Sequence, residues 1–165
     1  MYLCPMKSTS DYIGHGFLEK LEEIDMTCWH LTHVIYKRKK LFVFVHILTG
    51  YSVILYGLNK KDFKDISVIF KEALRSSLSS MFFDHTLYEP LVNACGEVCY
   101  KKLSDKKAIG TTVYLMNMLS AFTELIDETK VNQLRLSFWL NDMLIKPKNS
   151  PNELMTKYLK ELRKN

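Results

Sequence analysis

The hydrophobic pattern of this chain changes its period within one segment. Across residues 41–58, two apolar runs rich in β-branched and aromatic residues are separated by Thr49-Gly50. Across residues 59–78, apolar residues recur every three or four positions. The first pattern predicts a β-hairpin with buried faces, and the second predicts an amphipathic helix packed on it. The segment therefore predicts an α+β fold, but it indicates no particular chemistry.

The same two rules predict the remaining elements of the chain. A polar linker at 8–11 would precede a helix at 16–24, which would bury Phe17, Leu21 and Ile24. The other predicted strands are residues 2–4, 27–36, 41–48, 51–56 and 98–103. The other predicted helices are residues 61–80, 84–94, 105–126, 131–145 and 152–163.

Together these elements predict a single α+β domain over residues 1–165. Its length and its 47% hydrophobic content are enough for a core of ordinary size. We expect an antiparallel sheet of four to five strands, packed by five to six helices. The helix that begins near Lys61 should cover one face of this sheet. Pro90 could mark either a kink or a late start in the helix at 84–94.

Neither a membrane span nor a secretion signal is visible in the sequence. No run of about 18 uncharged apolar residues is present, and the first twelve residues lack a basic start followed by an apolar stretch. The four cysteines form no pattern typical of a disulfide framework. We therefore expect a cytoplasmic protein with free thiols and without membrane contact.

Positive charge is concentrated in three places, although the net charge is only +5. One is a predicted turn between strands, one precedes the helix at 105–126, and one is the C-terminal stretch. Such patches contact phosphates if they share a face, or they dock an acidic protein surface. They could equally be three separate solvated surfaces. The residues of the first two patches are Lys37, Arg38, Lys39, Lys40, Lys101, Lys102, Lys106 and Lys107.

The sequence contains few candidates for catalysis. It has no glycine-rich phosphate loop, nucleophile elbow or HExxH motif. Cys28, His30 and His46 could meet across neighbouring strands, but a zinc site needs four converging ligands. We therefore predict no cofactor and no metal. A small hydrolase or transferase using these side chains remains the alternative interpretation.

Several phrases spread along the chain carry a family resemblance: FLEKL at 17–21, the tryptophan at 29, LTGYSVILYGLNKKDFKDISVIFKEAL at 48–74, LSFWLND at 136–142 and SPNELMTKYLKEL at 150–162. Together they resemble a family of small prokaryotic proteins, domain of unknown function 6933. Two positions depart from the family pattern. The triplet Asp105-Lys106-Lys107 replaces an Asn-Arg-Ser-like triplet, and Asn141-Asp142-Met143-Leu144 stands where an Asn-x-x-Pro-like turn is expected. The resemblance implies a fold and a prokaryotic or phage origin, and it implies no activity.

The function we expect is therefore binding rather than catalysis. A non-enzymatic protein of bacterial or phage origin would engage an anionic partner, either nucleic acid or a protein that handles nucleic acid. Inhibition of host machinery is one form that such binding could take. The basic turn at 37–40 would make the first contacts. A homodimer through the apolar stretch from Leu134 to Ile145 is a further possibility.

Overall fold

A computed structural model describes residues 1–82, 84–143, 145 and 149–164 of the chain. Within these residues, five strands form one sheet in the order β4-β3-β2-β1-β5. The strands are β1 (Tyr2–Pro5), β2 (Cys28–Tyr36), β3 (Lys39–His46), β4 (Ser52–Tyr56) and β5 (Cys99–Tyr100). The α-helices are α1 (Lys7–Ile13), α2 (Ile66–Ser79), α3 (Glu89–Ala94), α4 (Lys106–Leu119), α5 (Leu134–Asp142) and α6 (Pro151–Leu162). Single 3-10 segments lie at Lys60–Lys64, His85–Leu87 and Ser120–Leu125.

The sheet is mixed, so the α+β class is confirmed and the purely antiparallel arrangement is wrong. Strands β2, β3 and β4 do form the predicted antiparallel meander. Strand β1, however, lies between β2 and β5 and runs parallel to both. Parallel neighbours need a long connection on one face of the sheet, and residues 6–27 supply it between β1 and β2. Alternation of apolar residues is the same for either strand direction, so the sequence pattern could not distinguish them.

Helices cover both faces of the sheet. On one face, Trp29 of β2 and Phe44 of β3 each have ring centroids 4.8 Å from that of Phe70 in α2. On the other face, Val43 of β3 packs in a cluster with Leu115 of α4 and with further residues of α5. Successive strand residues point to opposite faces, so the strands bury both of their sides. The predicted packing of a helix on the sheet is therefore confirmed, and it occurs twice.

The predicted helix at 16–24 is wrong, and so is the predicted linker at 8–11. The helix is α1, which begins at Lys7 and includes those polar residues. It buries Thr9, whose Oγ1 lies 2.8 Å from Nδ1 of His33. Phe17 is 90% exposed, and the chain beyond it pairs with the segment just after β5 through the parallel bridge between Lys20 and Lys102. Hydrogen-bonded polar residues fill the buried side of α1, so its hydrophobic pattern is weak.

The boundaries of the later helices follow local backbone signals. The Asn59 side chain accepts a hydrogen bond from the Lys61 amide and caps the 3-10 segment before α2. Pro90 lies in the first turn of α3, so it marks the late start and not a kink. The predicted strand at 98–103 is shorter and corresponds to β5. None of the helices in the described ranges is long and apolar enough to cross a bilayer.

Side chains of α5 close the outer edge of β4. The Ser52 amide donates to Oδ1 of Asn141 at 2.6 Å, and Nδ2 of Asn141 donates back to the Ser52 carbonyl at 2.8 Å. One turn earlier on α5, Oγ of Ser137 accepts from the Ile54 amide at 3.1 Å. Four helical residues rise about 6 Å and two strand residues rise about 6.7 Å, so the two repeats nearly match. This helix therefore supplies the hydrogen bonds that a further strand would have made.

Candidate functional site

The first predicted patch is the tip of the hairpin formed by β2 and β3. Tyr36 pairs with Lys39, which leaves Lys37 and Arg38 as a two-residue turn. Both turn residues have positive φ, at 44° and 69°. This is the conformation of a type I′ turn, which matches the twist of a hairpin and favours Asn and Gly. We call Lys37, Arg38 and Lys39 the hairpin tip, since all three are exposed.

Not every charge at this hairpin is available to a partner. Lys37 forms an ion pair with Glu128, and this hydrogen bond raises the pKa of Lys37. The Nζ atom of Lys40 lies 3.8 Å from the ring centroid of Tyr12, so Lys40 covers α1. The Nζ atom of Lys39 lies 5.6 Å from the ring of Tyr56. Arg38 makes no ion pair with any residue that the structure describes.

The second predicted patch is divided by the fold. Lys101 binds Glu19 at 2.6 Å, and this contact raises the pKa of Lys101 and lowers that of Glu19. Lys102 is exposed at the mouth of a cavity. Lys106 and Lys107 begin α4, and Lys107 lines a different, smaller cavity of about 180 Å³.

The two patches also lie at different positions along the strand direction of the sheet. The last pair between β1 and β2 joins Pro5 to Leu31, and β2 continues for five residues to Tyr36. At about 3.3 Å per residue, the hairpin tip extends roughly 17 Å past that pair. Lys101 donates its amide to the Leu3 carbonyl and so stays level with β1.

The two central histidines lie on opposite faces of the sheet. Trp29 pairs directly with His46, and the adjacent His30 points to the other face. Burial lowers the pKa of each imidazole to about 4, so both are neutral near pH 7. Burial also raises the pKa of the Cys28 thiol to about 11. These three side chains therefore do not form one catalytic group.

His46 has the hydrogen bonds of a structural residue. Its Nε2 lies 3.3 Å from the Met26 carbonyl, which can only accept, so Nε2 carries the proton. Its Nδ1 then accepts from the Thr49 hydroxyl at 2.9 Å. Both ring nitrogens are satisfied inside the core. Among the described residues, no group of three or more His, Cys, Asp or Glu side chains is placed to hold a metal ion.

The two positions that depart from the family pattern have structural roles here. Oδ1 of Asp105 accepts from the Ala108 amide at 2.7 Å and so caps α4. At the second position, Asn141 closes the edge of β4 through its two bonds to Ser52, and Leu144 lies outside the described residues.

The fold and this site define an α+β protein with a mixed five-stranded sheet and a cationic hairpin. Residues 7–154 match the family described as Domain of unknown function (DUF6933). Because this match covers most of its length, the chain belongs to that family, and the resemblance seen in the sequence is confirmed. A search of the curated proteins found no match.

Proposed function

We propose that this protein is a non-enzymatic binding protein that engages an anionic partner through the hairpin tip. Nucleic acid is the partner that we favour, and a protein that handles nucleic acid and has an acidic surface is the second form of the proposal. Inhibition of host machinery would be one consequence of such binding. The proposal extends the family assignment, which carries no activity.

The observation that carries the proposal is the backbone of the turn. Lys37 and Arg38 both occupy the left-handed region, where a residue with a Cβ costs about 1–2 kcal/mol. Asn-Gly would relieve that strain in a two-residue hairpin. Two long cationic side chains occupy these positions although they destabilise the turn. Residues in strained backbone conformations cluster at functional sites, and this supports the turn as a contact for a partner.

Arg38 is the side chain best suited to the first contact. Its guanidinium presents five donors in a planar fork, which matches phosphate or carboxylate oxygens. Lys39 is exposed beside it and adds a second charge. Lys37 is held by Glu128, so it orients the tip and contributes less charge to a partner.

The test is a fluorescence anisotropy titration with a labelled 20-nucleotide single strand and its duplex, at 50 and 200 mM salt. The tested variant changes Arg38→Ala and Lys39→Ala and leaves the Lys37–Glu128 pair in place. The matched control changes Lys157→Ala and Lys160→Ala, two exposed lysines of α6. Both variants remove the same net charge, so only position differs between them.

We expect the tip variant to weaken binding at least tenfold at 50 mM salt and the control to change it less than twofold. The salt dependence should also become shallower in the tip variant, because fewer phosphates are neutralised. Equal weakening by both variants would show nonspecific attraction and would overturn the assignment to the tip. Binding of an acidic protein with no affinity for either oligonucleotide would select the second form of the proposal.

A homodimer through α5 is a second candidate, and one observation favours it. Leu134, Phe138 and Trp139 of this helix are 40%, 52% and 47% exposed. Large apolar side chains grouped on one helix are typical of interaction surfaces. Light scattering across a concentration series tests this candidate. A monomer at every concentration would overturn it, as would a dimer that Phe138→Ser does not dissociate.

A further inference from the structure

A second site lies beyond the carboxyl ends of the parallel strands β1 and β5, away from the hairpin tip. A cavity of about 490 Å³ opens there between α1, α4 and the chain that follows β5. Ligand cavities in proteins commonly measure about 300–1,000 Å³. The carboxyl ends of parallel strands are also where ligands bind in open sheets, because the connecting loops diverge there. The residues that form its walls include Pro5, Ser10, Phe17, His30, Leu103 and Ile109.

His30 forms part of the cavity wall and has an unused acceptor. Its Nδ1 lies 2.8 Å from Oγ1 of Thr112, and the same hydroxyl donates to the Ala108 carbonyl at 3.2 Å. A hydroxyl has one proton, so Nδ1 carries the imidazole hydrogen and donates it to Thr112. Nε2 therefore keeps its lone pair. No described residue donates a hydrogen bond to Nε2. This atom is also not among the fully buried atoms that lack a partner, so a ligand can reach it.

This arrangement differs from that of His46, whose two nitrogens both have partners. His30 is only 3% exposed, and the small accessible part of its ring includes Nε2. A ligand with an N–H or O–H group would supply the missing donor.

The charged residues that line the cavity are complementary to an anionic ligand. Lys7 and Lys102 line it, and Asp11 is the one acidic side chain among its described lining residues. Phe17 also lines it, although this phenyl ring is 90% exposed to solvent. An exposed aromatic ring beside lysines is typical of surfaces that stack nucleobases and neutralise phosphate.

We propose that this cavity binds a nucleoside monophosphate. A base N–H would donate to Nε2 of His30, Phe17 would stack on the base, and Lys7 and Lys102 would hold the phosphate. Asp11 would accept a hydrogen bond from a ribose hydroxyl. The neutral imidazole suits this role, because burial keeps its pKa near 4. The site shares no residue with the hairpin tip.

Isothermal titration with AMP, GMP, CMP and UMP tests the proposal, with ribose 5-phosphate, adenosine and inorganic phosphate as partial ligands. We expect at least one mononucleotide to bind tenfold or more tightly than any partial ligand. Lys102→Ala and Phe17→Ala should each weaken that binding at least fivefold, and both residues are exposed enough to leave folding intact. Arg38→Ala should leave it unchanged, which separates this site from the hairpin tip.

His30→Asn is the decisive variant. The asparagine amide can replace Nδ1 as the donor to Thr112, but it has no group at the position of Nε2. We expect binding to fall at least tenfold while the circular dichroism spectrum stays that of the wild type. If this variant does not fold, long-range ¹H–¹⁵N spectra of the wild-type protein give the same information. They should show a protonated Nδ1 and a bare Nε2 that shifts when the mononucleotide is added.

Three results would overturn the proposal. The first is the absence of binding heat with all four mononucleotides, each titrated to about 1 mM and in excess over the protein. The second is inorganic phosphate binding as tightly as the nucleotides, which would reduce the site to an anion site. The third is a protonated Nε2 in the wild-type spectra, or a His30 signal unchanged by a bound nucleotide.

Discussion

Replacing Asn141 by alanine tests whether α5 really closes the sheet. Its side chain makes two hydrogen bonds to the backbone of Ser52, at 2.6 and 2.8 Å, and it is 1% exposed. The alanine variant leaves the amide and the carbonyl of Ser52 buried without partners. Each unsatisfied buried group costs about 1–3 kcal/mol. We therefore expect a loss of about 2–5 kcal/mol from the free energy of unfolding.

Urea unfolding followed by circular dichroism measures this loss. Domains of this size are stable by about 5–15 kcal/mol, so the midpoint should move substantially while the m-value stays constant. Ser137→Ala removes one bond to β4 in place of two, so it should cost less than Asn141→Ala. Asn117→Ala is the matched control, since this asparagine is exposed on α4 and should change stability by less than about 0.5 kcal/mol.

Hydrogen exchange supplies the local readout. The Ser52 amide should be protected in the wild type and should exchange faster in the Asn141 variant than global unfolding alone explains. Two results would refute the reasoning. One is an Asn141→Ala variant as stable as the Asn117 control. The other is a Ser52 amide that stays protected in the variant, since a different group would then satisfy it.

Three further predictions concern the turn, the histidines and the core. Arg38→Gly should raise the unfolding free energy by about 1 kcal/mol, because glycine adopts positive φ freely; an unchanged urea midpoint would show an unstrained turn. Burial lowers the pKa of His30 and His46 to about 4, so the unfolded chain binds more protons below pH 6.5 and stability falls from there towards pH 4. Each histidine should account for about 2 kcal/mol between pH 6.5 and 5, and equal unfolding free energies at the two pH values would show that the imidazoles are accessible. Phe70→Ala should cost about 3–5 kcal/mol and Val68→Ala, on the exposed side of α2, less than about 1 kcal/mol; similar thermal midpoints would contradict the packing.

The elements that sequence reasoning predicted well are those whose buried side is apolar. Helix α2 was visible because Ile66, Phe70 and Leu74 recur at helical spacing and are all buried. Helix α1 was missed because its buried residues include Thr9 and Ser10, which bond to other parts of the chain. The edge bonds of α5 left a signal that could have been used. Ser137 and Asn141 are polar residues four positions apart on an otherwise apolar stripe.

The candidate site was also only partly predictable from the sequence. A run of four basic residues between two strands was enough to predict an exposed turn, but the predicted bounds of 37–40 are wrong, because Lys39 and Lys40 already belong to β3. The ion pair between Lys37 and Glu128 joins residues 91 positions apart, and no local pattern indicates such a contact. The cavity beside His30 is still harder to predict. Its walls come from β1, α1, β2, α4 and the chain after β5, which only the parallel pairing of β1 brings together.

The position of β1 between β2 and β5 affects the order in which the protein can fold during synthesis. Tyr2 leaves the ribosome before both of its partners, Cys28 on one side and Cys99 on the other. At roughly 5–20 residues per second, the second partner follows on the order of 5–20 s later. The hairpins of β2, β3 and β4 have short connections and can form in the meantime. Completion of the sheet, and with it the cavity beside His30, must therefore wait until β5 and the first turns of α4 have been translated.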